Sequence, residues 1–186
     1  MYLARSAVGG LMHEHQLILR VIADMGHELE RLDEGGEVEP GYVETVVDFI
    51  RTYADRCHHG KEEDIFFRDL ATKELSDDDA GAMRTLIEDH VWARGQVREL
   101  VEATGRAAAG DASAAAVVRE RLRALAGFCP DHIEREDHGF FRAVPHYFTH
   151  DELDAMAAEC AEFERSLIHE RYLEVAEALE ARRGAT

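Results

Sequence analysis

The sequence predicts an all-α protein, an antiparallel up-and-down four-helix bundle with one additional helix at the C-terminus. Three observations lead there. Only 3 prolines occur in 186 residues, β-branched runs are scarce, and long stretches rich in Ala, Leu, Glu and Arg favour helix. Apolar residues recur at three- and four-residue spacing through four successive segments, the period of a helix with one buried stripe. Short turns separate these segments, so consecutive helices fold back on one another as antiparallel neighbours.

The first helix is expected from Ser6 to Leu32, with Leu11, His15, Ile18, Ile22, Met25, Leu29 and Leu32 along one stripe. Gly35-Gly36 and Pro40-Gly41 mark the turn after it. The second runs from Tyr42 to Lys73, its stripe being Val47, Ile50, Ala54, His58, Glu62 and Ile65. Ser76, followed by three aspartates, reads as an N-cap with acids in the first turn that complement the helix dipole. The third helix reaches Ala109 and ends at Gly110-Asp111, with Met83, Ile87, His90, Arg94, Val97 and Val101 on its stripe. The fourth begins near Ser113 and stops before Pro145, turning Val118, Leu122, Leu125, Cys129, His132, Glu136 and Phe140 inward. Pro130 lies inside it and should remove one backbone hydrogen bond and kink the helix. Thr149 and Glu152 make a capping box that opens a fifth helix to Arg182. Leu153, Met156, Cys160, Phe163 and Leu167 give that helix its own stripe. Two roles are open to it: covering one side of the bundle, or pairing two chains into a homodimer. The expected organisation is a bundle over residues 1–148 and a C-terminal helical extension over 149–186.

An apolar fraction of 46% and a charged fraction of 32% fit a globular chain. A formal charge of −18 makes nucleic acid and anionic membrane surfaces poor partners. No apolar run approaches the roughly 20 residues that cross a bilayer, and Met1 to Met12 lacks the apolar stretch of a signal peptide. The expected location is therefore the cytoplasm. Cys57, Cys129 and Cys160 form no metal motif and read as small buried hydrophobes in a reducing compartment.

Chemistry shows where polar residues interrupt the apolar stripes. The first helix offers His15, the second His58 and Glu62, the third His90, the fourth His132 and Glu136. Each His-x-x-x-Glu pair lies on one helix face, one turn apart. Burying an unpaired carboxylate costs several kcal/mol, and a metal cluster that neutralises the acids and uses the imidazole lone pairs resolves the conflict. The pattern also repeats. Glu14-His15 recurs as Asp89-His90 at an offset of 75, and His58 and Glu62 recur as His132 and Glu136 at 74. A Phe-Phe pair follows each motif, Phe66-Phe67 and Phe140-Phe141. Two similar helical hairpins, each giving two histidines and one carboxylate, would assemble a pseudo-symmetric dinuclear site. Four imidazoles and two carboxylates without thiolates suit iron or manganese, with zinc as a substitute. With both glutamates bridging and an oxo or hydroxo shared, each metal would be about five-coordinate, leaving room for a small exogenous ligand.

At these residues the sequence resembles the hemerythrin family, in its bacterial hemerythrin-like (HHE cation-binding) branch, over roughly Leu11 to Val144. The resemblance rests on Glu14-His15, the stretch Asp55 to Phe67 with its Cys57-His58-His59-Gly60-Lys61-Glu62-Glu63 core, Asp89-His90, and His132 to Glu136 followed by Phe140-Phe141. It implies two iron ions, carboxylate- and oxygen-bridged, held by His15, His58, Glu62, His90, His132 and Glu136, and binding O2, NO or peroxide. Two departures matter. Oxygen carriers of the family have a fifth histidine where this chain has Arg94, and their last carboxylate falls five residues after its histidine, which would be Asp137. Loss of the fifth histidine moves the expectation from reversible carriage towards reaction with O2, peroxide or NO, the chemistry of a di-iron oxidoreductase. The alternative is a non-catalytic module for O2 or NO binding, sensing or iron handling. Arg94 is expected to snorkel outward, to pair with an acid such as Asp55, or to bind an anionic ligand. His59 is expected beside the ligand face, with Glu63 as its surface partner. Tyr53 reads as packing, and His13, His138, His146, His150 and His169 read as lying off the site.

Overall fold

The computed structural model describes residues 7–164 and 167–183, with six helices and no strand among them. Helix α1 spans Ala7–Asp33, α2 residues 40–70, α3 Asp77–Ala108, α4 residues 114–143, α5 His150–Phe163 and α6 Leu167–Arg183. A short 3₁₀ turn, Val144–Tyr147, links α4 to α5. The boundaries follow local chemistry. Pro40 occupies the first turn of α2, where its missing N–H is no loss. The Ser76 side chain accepts the Asp79 N–H at 3.1 Å and caps α3. Gly35 and Gly110 take φ of 98° and 92° after α1 and α3, a backbone that residues with a Cβ rarely adopt. The capping box at α5 is formed: Glu152 accepts the Thr149 N–H at 2.8 Å, and Thr149 accepts the Glu152 N–H at 3.3 Å.

Two features depart from the expected elements. The single fifth helix is instead two, α5 and α6, broken at Glu164, whose backbone leaves helical geometry at φ −92° and ψ 80°. Inside α2 and α4 the backbone widens to i→i+5 hydrogen bonding over Ile50–His59, Glu62–Phe67 and Arg135–Phe140. Thus the Gly60 N–H donates to the Asp55 carbonyl five residues back. Such wide turns cluster at functional sites, and here they fall on both His-x-x-x-Glu segments. Helix α4 runs on through Pro130, which sits within Ala114–Glu134. The expected start of the first helix at Ser6, the Leu167 side chain and His169 lie outside what is described.

Burial is divided into two apolar clusters. One joins Ile18 and Met25 of α1, Val46 and Phe49 of α2, Leu100 of α3, Leu122 of α4 and Tyr172 of α6. The other joins Leu11, Phe66, Leu86, Phe141 and Met156 from α1 to α5. All seven expected α1 stripe residues are buried; on α3, Met83, Ile87 and Val101 are only half-buried, while Leu86 and Leu100 are buried beside them. Leu153, Met156 and Cys160 of the C-terminal stripe are buried against the second cluster, whereas Phe163 is exposed. No helix of the described residues is long and apolar enough to cross a membrane. Between the two apolar clusters lies a polar layer.

Candidate metal centre

That layer contains Glu14, His15, His58, Lys61, Glu62, His90, His132 and Glu136, all buried. The outer nitrogen of each of the four histidines faces a carboxylate. His15 Nδ1 lies 2.7 Å from Asp137, His58 Nδ1 2.8 Å from Glu14, His90 Nδ1 2.7 Å from Glu63 and His132 Nδ1 3.2 Å from Asp89. The repeat seen in the sequence organises these contacts. The acid before the histidine of α1 or α3 holds the histidine of the next helix, and the acid after the glutamate of α2 or α4 holds the remaining one. Carboxylates at Nδ1 fix the tautomer and leave each Nε2 lone pair aimed inward, the arrangement metal-ligating histidines use.

The inner atoms converge. His15 Nε2 and His58 Nε2 are 2.9 Å apart, close to the roughly 3 Å between nitrogens at right angles on an ion with bonds of about 2.1 Å. Glu62 places one oxygen 3.2 Å from His58 Nε2 and the other 3.4 Å from His90 Nε2. Glu136 reaches 3.3 Å from His15 Nε2 with one oxygen and 3.2 Å from His132 Nε2 with the other. Both glutamates therefore face histidines from both hairpins. Among the described residues, neither glutamate oxygen pair, nor His90 Nε2 or His132 Nε2, has a hydrogen-bond partner despite burial. Orphaned buried polar atoms of this kind are rare and costly. A donor set of nitrogen and carboxylate oxygen with inward lone pairs fits a metal, and the cluster could hold one.

Electrostatics describe the same conflict. Burial works against charge at His58, but Glu62 and Glu14 overcome it and raise its pKa to about 10. His90 is likewise raised to about 9, against burial, by Glu136 and Glu63. Burial pushes Glu62 and Glu136 up, yet the surrounding histidines hold both below the ordinary carboxylate range. Protons on the imidazoles thus do in part what a cation does, and metal uptake must displace them.

Around this layer the remaining candidates find their places. Arg94 donates to Asp55 at 2.7 Å and to Glu63 at 2.8 Å. It holds two acids, as one of its expected roles foresaw. Glu63 is therefore not the partner of His59, which faces Asp55 at 3.4 Å instead. Lys61, which carried no expected role, is buried between Glu14 and Glu164, 2.7 Å from the latter. Its signal was its place in the motif, five residues before a buried phenylalanine pair. Phe67 stacks on His90 at 6.3 Å and Phe141 on His15 at 6.2 Å, so the paired phenylalanines floor the site. Tyr53 is buried and packs on Phe49 at 5.2 Å. Cys57 and Cys160 are buried and Cys129 half-buried, all free thiols, with burial raising them to about 11, 11 and 12. His13, His138, His146 and His150 are exposed.

Above the histidines lies a small cavity of about 40 Å³, bounded by Ile18, Ile22, Phe49, Leu125, Phe128 and Ile133. Trp92 packs over Phe128 at 4.5 Å from outside. The space admits one or two molecules of water size and no organic substrate.

Fold and site together define a helical protein with a buried histidine–carboxylate cluster competent to bind metal. The family model for the hemerythrin HHE cation-binding domain matches residues 6–144, and the chain belongs to that family. No curated protein and no solved structure matches it.

Proposed function

We propose that the protein is a non-haem di-iron protein that binds and reacts with O2, peroxide or NO. In this reading α1 to α4 form an up-and-down four-helix bundle over residues 1–148, and residues 149–186 form an extension packed on it. His15 and His58 would hold one iron and His90 and His132 the other, with Glu62 and Glu136, which face histidines of both pairs, as carboxylate ligands to both. The supporting observation is the set of four inward Nε2 atoms, each backed by a carboxylate, around two glutamates that have no hydrogen-bond partner among the described residues. Two irons there would supply electrons and open positions for a small ligand. The chain's own part is to orient the imidazoles, keep the glutamates ionised and limit bulk water with the apolar walls of the cavity.

Cavity size favours a diatomic or peroxide over any larger partner. Metal analysis with visible spectroscopy tests the proposal. About two irons per chain with oxo-to-iron charge-transfer bands is the expected result; protein grown with ample iron that contains none refutes it.

The same small apolar cavity also suits a module that only holds O2 or NO, for sensing, carriage or iron handling. Anaerobic di-ferrous protein exposed to O2 separates the two. Rapid oxidation or turnover belongs to the reactive protein, and a stable reversible adduct to the binding module.

A further inference from the structure

We infer that small uncharged ligands reach the buried centre between α2 and α3, across a thin partition of Ile50, His59 and Ala93, and that Ala93 sets the size admitted. The inference rests on the ligand-binding reading above. Against the α2–α3 seam lies a second hollow, of about 270 Å³, with Ile50, Arg51, Asp55, His59, Ala93 and Arg94 in its wall. Ile50, His59 and Ala93 also line the small cavity above the histidines. The two spaces therefore share a wall of three side chains. Exposure points the same way. The His59 side chain is 14% exposed, whereas those of His15, His58, His90 and His132 are 6% exposed or less.

The three residues of the partition differ in freedom. The His59 ring lies face to face with that of His90 at 3.9 Å, and its Nδ1 faces Asp55, which Arg94 holds at 2.7 Å. Pinned on both sides, it leaves no gap between the rings. Passage falls to the edge where Ile50 meets Ala93. Both are half-buried, Ala93 offers a single methyl group, and a rotamer change of Ile50 widens the gap on a fast timescale.

The internal repeat shows that this thinning belongs to one flank. Ala93 less 75 is Ile18, and His59 plus 74 is Ile133. Both mirror residues are branched, buried and part of the first apolar cluster, so the matching places on α1 and α4 are filled. Charge at the entrance selects as well. Arg51 and Arg94 stand against Asp55 and Glu63, and Arg94 donates to both acids. The rim thus carries no surplus of positive charge to draw in an anion, and O2, NO or neutral peroxide suits it.

The test is stopped-flow binding of substoichiometric NO to the reduced, iron-loaded full chain, with release followed by an NO trap. A barrier on a route slows entry and exit alike and leaves the bound state untouched. Ala93→Leu should therefore slow association and dissociation together, each by roughly 10-fold, with Kd unchanged. Ile50→Ala should speed both. Ala124→Leu, at the mirror position of Ile50 on α4, should match wild type. Iron content and visible spectra check that the centre is intact, and melting checks folding. Ala93→Val decides the same readouts if the leucine variant does not fold. Unaltered rates in the Ala93 and Ile50 variants, or a change in Kd carried by one rate alone, overturn the inference by itself. Wild type that holds no iron, or holds iron and forms no NO complex, overturns the ligand-binding reading, and this inference with it.

Discussion

The two hairpins build their histidine supports from the same parts but place them in different surroundings. In the first, Glu14 holds His58 and is itself met by Lys61; in the second, Asp89 holds His132 and is met by Arg135 at 2.8 Å. Lys61 and Arg135 are 74 residues apart, the offset of the repeat. Yet the Lys61 and Glu14 side chains are 2% and 4% exposed, against 46% and 18% for Arg135 and Asp89. The difference comes from the C-terminal helices. The end of α5 lies over the first pair, where Glu164 takes up Lys61, and the second pair faces water. The repeat thus sets which residues touch, and the extension sets the dielectric in which they do so.

The largest effect expected from this contrast is on folding. Lys61→Met takes from buried Glu14 one of its two cationic partners, His58 being the other, and also releases Glu164; it should destabilise the metal-free chain by about 3 kcal/mol. Arg135→Met breaks an exposed pair and should cost under about 1 kcal/mol. Urea unfolding of both variants checks this, and equal losses would remove the distinction between the halves.

Next in size is metal affinity. Glu14→Gln and Asp89→Asn each loosen one imidazole and should weaken binding by roughly 10- to 100-fold. The greater loss is expected for Glu14, whose contact is shorter and drier. Chelator competition measures the ratio, and a larger loss for Asp89→Asn would reverse the ranking.

A smaller effect is expected from pH. His58 and His90 have folded pKa values of about 10 and 9 against an ordinary 6.5. The stability they contribute is therefore complete below 6.5 and is lost as pH rises through 9 and 10. Glu62 and Glu136 are lowered, so their contribution is present above the ordinary carboxylate pKa and lost as pH falls below it. The metal-free chain should be most stable between about pH 5 and 6.5. Melting temperature across that range checks it, and a maximum above pH 8 would contradict it.

The smallest effect concerns Gly60, where an added Cβ would lie 3.0 Å from the Phe163 ring. Its mirror position already carries a side chain, Glu134. Phe163 is exposed enough to turn aside, and alanine favours helix by up to about 1 kcal/mol. Gly60→Ala should therefore change stability by less than about 1 kcal/mol in either direction, read as a small shift in Tm.

Much of the helical layout was legible because the helix period, the Ser76 and Thr149 caps and the glycine turns are local signals. The inward set of His15, His58, Glu62, His90, His132 and Glu136 was legible because its spacing repeats between hairpins. What lay beyond sequence reading depends on tertiary neighbours. Glu63 and Asp137 look like surface acids until α3 and α1 bring His90 and His15 against them. Lys61 looks like a solvated charge until Glu164 arrives from a distant part of the chain. The break between α5 and α6 has no proline or glycine to announce it. The partner of His59 is Asp55 rather than Glu63 because Glu63 is taken up by His90 and Arg94 from α3.

The widened winding of α2 has a consequence for the length of the chain. A rod wound loosely over Ile50–His59 and Glu62–Phe67 holds extra residues for the distance it covers. Removing one residue from its first turns, upstream of His58, would let the backbone tighten towards ordinary winding and absorb the loss, leaving Ile65 and Phe66 facing the core. A single deletion there should thus be tolerated better than one in an ordinarily wound stretch such as Asp77–Ala108, where no surplus exists and everything downstream would swing by about a quarter turn.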